Sequence, residues 1–137
     1  MTAVLLGYAP IDSVHAEFDE LVVNAQACAD DELHASLQRL HAHLVAHFGQ
    51  EDAWMRESDF PAADCHIEEH TRVLQSADEV LPLVAGGRLG VGREFAAELA
   101  AWFPGHADYL DSALAAWLCK RRHGGKPVVV HRRKPLD

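Results

Sequence analysis

Histidine is the residue type whose number and spacing in this chain point to chemistry. The 137 residues include 10 His, more than the 9 Gly. His47 and Glu51 stand four residues apart, and so do His66 and His70. Residues at this spacing project from one face of a helix. Imidazole combined with carboxylate, without thiolate, is a donor set that suits iron, manganese or zinc. The pattern therefore indicates a metal centre built on helices.

Four amphipathic helices are predicted to position these side chains. They cover residues 13–29, 31–57, 61–85 and 92–122. Apolar residues recur along each helix at steps of three and four, which mark one helical face. Asp12 or Ser13 is the predicted N-cap of the first helix, and Pro82 is predicted to bend the third helix or end it early. Four such helices with short links predict an all-α, up-down-up-down four-helix bundle.

The turn between the second and third helices brings the two pairs to matching heights. The turn centres near residue 59 or 60, and each pair lies about 7 to 12 residues from it. Because a helix rises about 1.5 Å per residue, the two pairs lie at similar distances from the turn along antiparallel neighbours. The fourth helix adds His106 and, five residues later, Asp111. Five residues correspond to about 140° around a regular helix. Spacing alone therefore does not decide between Asp111 and Asp108 as a partner of His106, although Pro104 and Gly105 offer a means of distorting this turn.

Taken together, these motifs resemble the hemerythrin family in its bacterial single-domain form. The family pattern has an isolated His on the first helix, His-Phe-x-x-Glu on the second, His-x-x-x-His on the third and Trp-x-x-x-His-x-x-x-x-Asp on the fourth. All seven ligand positions are filled here, in order, by His15, His47, Glu51, His66, His70, His106 and Asp111. The resemblance thus implies that these seven residues bind the metal, and it favours Asp111 over Asp108.

The resemblance also implies a cofactor and a function. The cofactor is a pair of iron ions with an oxo or hydroxo bridge, further bridged by Glu51 and Asp111. His66, His70 and His106 would hold one ion, and His15 and His47 the other, which keeps an open position for O2. Reversible O2 binding for carriage or storage, with access for small anions such as azide, is the function implied; no catalytic residue and no enzyme activity are expected.

The family's pocket positions match five residues of this chain: Phe18, Phe48, Trp102, Phe103 and Ala107. The aromatic members form an apolar wall that slows proton entry and autoxidation. Ala107 replaces the large aliphatic residue usual at its position. We therefore expect a wider pocket, faster autoxidation and easier azide entry than in relatives with a bulky residue.

Three alternatives remain at this stage. On the same fold, the chain is a di-iron sensor of oxygen or iron, or a peroxide-consuming enzyme. A remote alternative is a zinc peptidase, because His66-Ile-Glu-Glu-His70 also fits a His-x-x-Glu-His pattern with Glu69 as the base. The favoured interpretation treats Glu68, Glu69 and Asp108 as solvated charges, and it places His43 on a solvated face.

Composition sets the outer limits of function. Hydrophobic residues make up 49% and the net charge is −9, which argues against nucleic-acid binding. No apolar run approaches the roughly 20 residues of a membrane-spanning helix. Three Cys without a pairing pattern, and no signal-peptide charge pattern at the N-terminus, favour a cytoplasmic protein. Because seven of the 12 Lys and Arg lie from Lys120 onward, we expect a helical domain at 1–123 and a basic extension at 124–137 whose protein partner is unknown.

Overall fold

Four helical rods make up residues 5–122, the part of the chain that the computed structural model describes. They are α1 (Ala9–Ala27), α2 (Leu33–Glu57), α3 (Ala63–Ala85) and a composite rod of α4 (Leu89–His106), a π-helical segment (Ala107–Asp111) and α5 (Ser112–Arg122). Each rod packs against the next, and α4 also packs against α1. The predicted all-α four-helix bundle is confirmed, while the predicted extension at 124–137 lies outside the described residues. None of the helices within 5–122 combines the length and apolar character needed to cross a membrane.

The start of α1 differs from the prediction. The helix begins at Ala9 rather than at residue 13, and Pro10 lies in its first turn, where a missing backbone N–H costs no helical bond. Asp12, a predicted N-cap, is inside the helix instead. Its carboxylate accepts the backbone N–H of Leu6 at 2.6 Å and of Gly7 at 3.1 Å. The acidic side chain therefore ties the preceding loop to the helix.

Of the two effects predicted for Pro82, a bend in α3 or an early end, the early end does not occur, and α3 ends at residue 85 as predicted. The helix begins at Ala63, two residues after the predicted start, and runs through Pro82 to Ala85. Pro82 is exposed and lies in the last turn, so the helix loses a single hydrogen bond near its end. Termination comes with Gly87, whose φ of 99° suits a residue without a side chain.

Gly92 allows α4 to lie close to α2 and α3. A Cβ atom at this position would be 2.6 Å from Cγ2 of Val84 and 2.9 Å from Cδ1 of Leu37. Carbon atoms that are not bonded pack at about 3.5–4.0 Å. The absence of a side chain at Gly92 therefore sets the helix spacing at this end of the bundle.

A layer of buried histidines and carboxylates divides the apolar core into two clusters. The large cluster lies at the Gly92 end and includes Phe18, Val22, Leu37, Leu40, Leu44, Phe48, Val84, Leu99 and Phe103. The small cluster lies at the other end and comprises Ile11, Met55, Leu114, Ala115 and Leu118. On each rod the polar residues fall between members or neighbours of the two clusters, as His15 does between Ile11 and Phe18.

Candidate metal centre

The structure brings all seven predicted ligand residues together in the buried layer. They form two overlapping groups in which one donor atom from each residue lies within 4.8 Å of the others. The three-His group contains His66, His70 and His106, and the two-His group contains His15 and His47. Both groups include Glu51 and Asp111, and each of the seven residues is at most 4% exposed. Buried polar groups on this scale need partners or ligands.

The π-helical segment explains how Asp111 reaches this layer. The backbone N–H of Ser112 bonds the carbonyl of Ala107, five residues earlier, which is the π-helical pattern. Because this turn contains one extra residue, positions five apart return to the same face. Nε2 of His106 consequently lies 3.1 Å from Oδ1 of Asp111, whereas Asp108 is exposed. The ambiguity left by the spacing is thereby resolved for Asp111.

The nitrogen atoms of the three-His group lie at the separations expected of donors around one ion. Nε2 of His106 is 3.2 Å from Nε2 of His66 and 3.3 Å from Nε2 of His70. Two nitrogen ligands at about 2.1 Å from a metal, at roughly right angles, would lie about 3.0 Å apart. The carboxylate oxygens are equally close, with Oδ1 of Asp111 2.9 Å from His66 and Oε1 of Glu51 3.3 Å from His70.

Glu51 and Asp111 each divide their two oxygens between the groups. Oε1 of Glu51 faces His66 and His70, while Oε2 lies 2.9 Å from Nε2 of His47. Likewise, Oδ1 of Asp111 faces the three-His group, and Oδ2 lies 2.9 Å from Nε2 of His15. This division is the arrangement by which one carboxylate bridges two cations.

Several of these atoms are close together without forming hydrogen bonds. Nε2 of His15 has no hydrogen-bond partner despite its short distance to Asp111, and neither oxygen of Asp111 has one. Oε1 of Glu51 is also unpaired. Burial of such atoms costs about 1–3 kcal/mol each. Nitrogens and carboxylate oxygens that are close but not aligned with one another fit ligation of a shared cation, so the residues present suit a metal.

The charges of the layer favour cation binding. Burial raises the pKa of Glu51, but its close contacts with His47, His66 and His70 outweigh burial and hold the pKa well below its usual range. Asp111 follows the same pattern, since burial is outweighed by His106, His15 and His66 and its pKa is lowered. Both carboxylates are therefore anionic. Burial lowers the pKa of His66, yet contacts with Asp111 and Glu51 raise it to about 9.

Two carboxylates outside the predicted set contact the ligand histidines from behind. Asp52 Oδ1 lies 2.8 Å from Nδ1 of His70, and Glu69 Oε1 lies 3.0 Å from Nδ1 of His106. The interpretation of Glu69 as a solvated charge is therefore incomplete, and Asp52 was missed. The available signal was chemical: a metal-binding His usually donates its second ring N–H to an acceptor, and both carboxylates adjoin a ligand in sequence.

The position of Glu69 does not favour the zinc peptidase alternative. That mechanism needs a free carboxylate beside the open side of the metal. Glu69 instead lies at Nδ1 of His106, the ring nitrogen opposite the Nε2 that faces the centre. Moreover, all seven residues of the larger donor set converge on the same layer, whereas the peptidase pattern uses only two of them.

The predicted pocket residues surround the centre on the side of the large cluster. Phe48 stacks on His70 with ring centroids 4.0 Å apart, and Trp102 lies 4.4 Å from His106. Phe103 contacts His15 edge-on at 4.8 Å. Phe18 packs 4.4 Å from Phe103, and Ala107 is completely buried in the same cluster. The wall is apolar and spans both His groups.

His43 was expected on a solvated face, and that expectation is wrong. Its side chain is only 7% exposed, and its ring lies 5.3 Å from that of His47 and 6.1 Å from that of Phe18. Nδ1 lies 3.1 Å from Glu17 at the surface. Burial, followed by repulsion from His47, lowers the pKa of His43. His43 lies one helical turn before the candidate ligand His47, and its ring packs against His47 and Phe18.

Comparison with known proteins agrees with this geometry. Residues 6–118 match the family model described as "Hemerythrin HHE cation binding domain". The chain is 36% identical over 119 residues to a bacteriohemerythrin from Ralstonia nicotianae, an alignment that covers 87% of each protein. No solved structure matches the chain.

Proposed function

The chain belongs to the hemerythrin family, and from that premise we propose that its centre holds two iron ions and binds O2 reversibly. Membership implies a cation-binding site, and the buried His and carboxylate cluster supplies one. The observation that carries the dinuclear proposal is the division of oxygens in Glu51 and Asp111, one toward each His group. A single ion would leave one oxygen of each carboxylate without a ligand role.

The numbers of donors make the two ions unequal. His66, His70 and His106 would hold one ion and His15 and His47 the other, with Glu51 and Asp111 offering an oxygen to each. The two-His side would have one protein ligand fewer, and would so keep a position for O2. A ferrous pair held there would supply two electrons to bound O2. Phe103 packs against His15, and Phe18 packs against Phe103; together they exclude water from that side and so limit proton entry.

The carboxylates near the centre support binding rather than O–O cleavage. Glu51 and Asp111 face both His groups, while Asp52 and Glu69 contact ring nitrogens. None of these four is left as a free proton donor beside the two-His side. We therefore propose reversible binding, as in an oxygen carrier or store with azide as an accessible anion, in preference to a peroxide-consuming enzyme.

The test is anaerobic loading with Fe²⁺ followed by cycles of O2 and vacuum. We expect two irons per chain and an absorption change that reverses over several cycles. Glu51→Ala should abolish the pair, whereas Asp78→Asn, at an exposed contact with His41, should leave it intact. One iron per chain, or irreversible oxidation in the first cycle, contradicts the proposal, and rapid peroxide consumption would favour the enzyme.

The chain boundaries proposed from sequence can be tested with the same assay. All seven candidate ligands lie between His15 and Asp111, so we propose that residues 1–123 are sufficient for the centre. Deletion of 124–137 should then leave the iron content unchanged. Loss of iron on deletion would assign the basic extension a part in the site.

A further inference from the structure

The outer ring nitrogens of the five candidate ligands differ between the two His groups. In the three-His group, Nδ1 of His70 and of His106 lie 2.8 Å and 3.0 Å from carboxylates of Asp52 and Glu69. In the two-His group, Nδ1 of His15 and Nδ1 of His47 are buried without a hydrogen-bond partner among the described residues. Nδ1 of His66 is also unpaired. The carboxylate contacts are thus confined to one side of the centre.

Such contacts change how an imidazole binds a metal. A carboxylate that accepts the Nδ1–H fixes the tautomer in which Nε2 is free to ligate, holds the ring orientation and increases the basicity of Nε2. The loss of such a partner typically costs about 10–100-fold in metal affinity. Two of the three nitrogens on one side have this support, and neither nitrogen on the other side does.

We infer that Asp52 and Glu69 are positioning residues that make the two metal positions unequal, so that the ion of the three-His group is retained when the ion of the two-His group is lost. The inference rests on the proposed function, since it requires two ions. It adds an order of loading and loss: the three-His position fills first and empties last.

Both carboxylates can be changed without disturbing the core. The side chain of Glu69 is 43% exposed and that of Asp52 is 21% exposed, so their oxygens reach solvent while contacting buried rings. Matched controls are present on the same helices. Glu68 precedes Glu69 on α3 and pairs with Arg72 at the surface. Asp78, also on α3, contacts His41 on α2.

The experiment follows the release of Co²⁺ from the full chain. The protein is loaded with two equivalents of Co²⁺, and excess chelator is added while bound metal is measured over time. We expect a fast phase and a slow phase of one ion each. Asp52→Ala and Glu69→Ala should each accelerate the slow phase by about 10–100-fold and leave the fast phase unchanged. Asp52→Asn and Glu69→Gln, which keep an acceptor oxygen, should have smaller effects.

A second measurement separates positioning from a general loss of structure. Co²⁺ shifts the proton resonances of bound imidazoles, so Nδ1–H protons that exchange slowly with solvent are visible by NMR. We expect one such resonance to disappear in Asp52→Ala and a different one in Glu69→Ala. Asp78→Asn and Glu68→Gln should retain both resonances and both release phases.

The outcomes distinguish this inference from the function it rests on. Binding of fewer than two ions overturns both together. Two ions that leave in one phase overturn the inequality alone. Variants that accelerate both phases equally, or that keep both Nδ1–H resonances, overturn the positioning roles of Asp52 and Glu69.

Discussion

Nε2 of His106 lies 3.1 Å from Oδ1 of Asp111, although Asp111 is the fifth residue after His106 in the chain. A regular helix would place them about 140° apart, and the π-helical segment at Ala107–Asp111 removes that difference. The extra residue also changes which side of the following helix, α5, is turned toward the core. Leu114, Ala115 and Leu118 are buried, whereas regular helical steps of three and four residues continued beyond His106 would place Ala113 and Trp117 on the inward face.

Deletion of Tyr109 tests the extra residue directly. Tyr109 lies within the π-helical segment and is 79% exposed. Its removal leaves His106 and Asp111 four residues apart, a spacing that a regular helix also aligns. We expect the shortened chain to bind two metals per molecule, as measured by elemental analysis. Insertion of one Ala after Tyr109 should instead displace Asp111 and reduce the metal content, and equal behaviour of the two variants would contradict this explanation.

Removal of the metal should markedly lower stability. The layer contains unpaired buried atoms in His15, Glu51 and Asp111, at about 1–3 kcal/mol each, and a ligand that binds only the folded state adds stability by linkage. We expect the midpoint of thermal unfolding, measured by circular dichroism, to be lower after the metal is removed with a chelator. Equal midpoints with and without iron would show that the layer is satisfied without a cation.

The stability of the metal-free protein should depend on pH in a defined window. The pKa of His66 is raised to about 9 from its usual 6.5, so its contribution is complete below pH 6.5 and is lost as pH rises through 9. The pKa values of Glu51 and Asp111 are lowered, so their contributions are present above their usual values of 4.5 and 3.8 and are lost as pH falls. We expect the melting temperature to be highest near pH 5–6.5 and to decrease toward pH 10. A flat profile above pH 6.5 would contradict the pairing of His66.

Ala107→Ile tests the space near the proposed O2 position. The sequence alone predicts slower autoxidation and weaker azide binding in this variant. However, Ala107 is completely buried with Phe18, Phe48 and Phe103, so the added carbons must displace packed neighbours. We expect a loss of about 1–3 kcal/mol in unfolding free energy without a longer lifetime of the oxygenated form. Ala113→Ile, at an exposed position of α5, is the control, and a longer lifetime at unchanged stability would restore the original expectation.

Gly92→Ala and Gly90→Ala should have opposite effects on the free energy of unfolding. A Cβ at Gly92 would meet Val84 at 2.6 Å, whereas a Cβ at Gly90 would meet nothing within 4 Å. We expect the first variant to lose about 1–3 kcal/mol of unfolding free energy by overpacking. The second should gain about 0.5–1 kcal/mol from the helix preference of Ala over Gly. Denaturant unfolding of both proteins measures the difference, and stabilisation by Gly92→Ala would show that α4 can move away.

The bundle and most of the candidate ligands could be predicted from the sequence, because both the apolar faces of the helices and the spacing of the ligands follow the helical period. Apolar spacing marked the rods, and His47, Glu51, His66 and His70 fell at matching heights through one turn. The π-helical segment was beyond this reasoning, since a local insertion of one residue leaves no periodic signal in so short a stretch. Only the family resemblance selected Asp111.

The contacts behind the ligands could not be predicted for a different reason. Glu69 and Glu68 are adjacent acidic residues on one helix, and only the rotation of α3 against α4 decides which reaches His106. His43 was misplaced because a polar residue one turn before a ligand is equally compatible with solvent or burial. These features depend on packing between helices, which single-sequence periodicity does not specify.

The polar layer between the two apolar clusters has a consequence for cooperativity. Without a cation, the small cluster of Ile11, Met55, Leu114, Ala115 and Leu118 borders the layer of charged and unpaired side chains within the described residues. Backbone amides near Leu114 and Leu118 should then open in a separate, lower-energy unit and exchange hydrogen faster than those near Leu40 and Leu44. The proposed metal pair would crosslink all four rods at this boundary, so that the two units open together. The proposed oxygen binding would then take place at the junction that makes the bundle a single cooperative body.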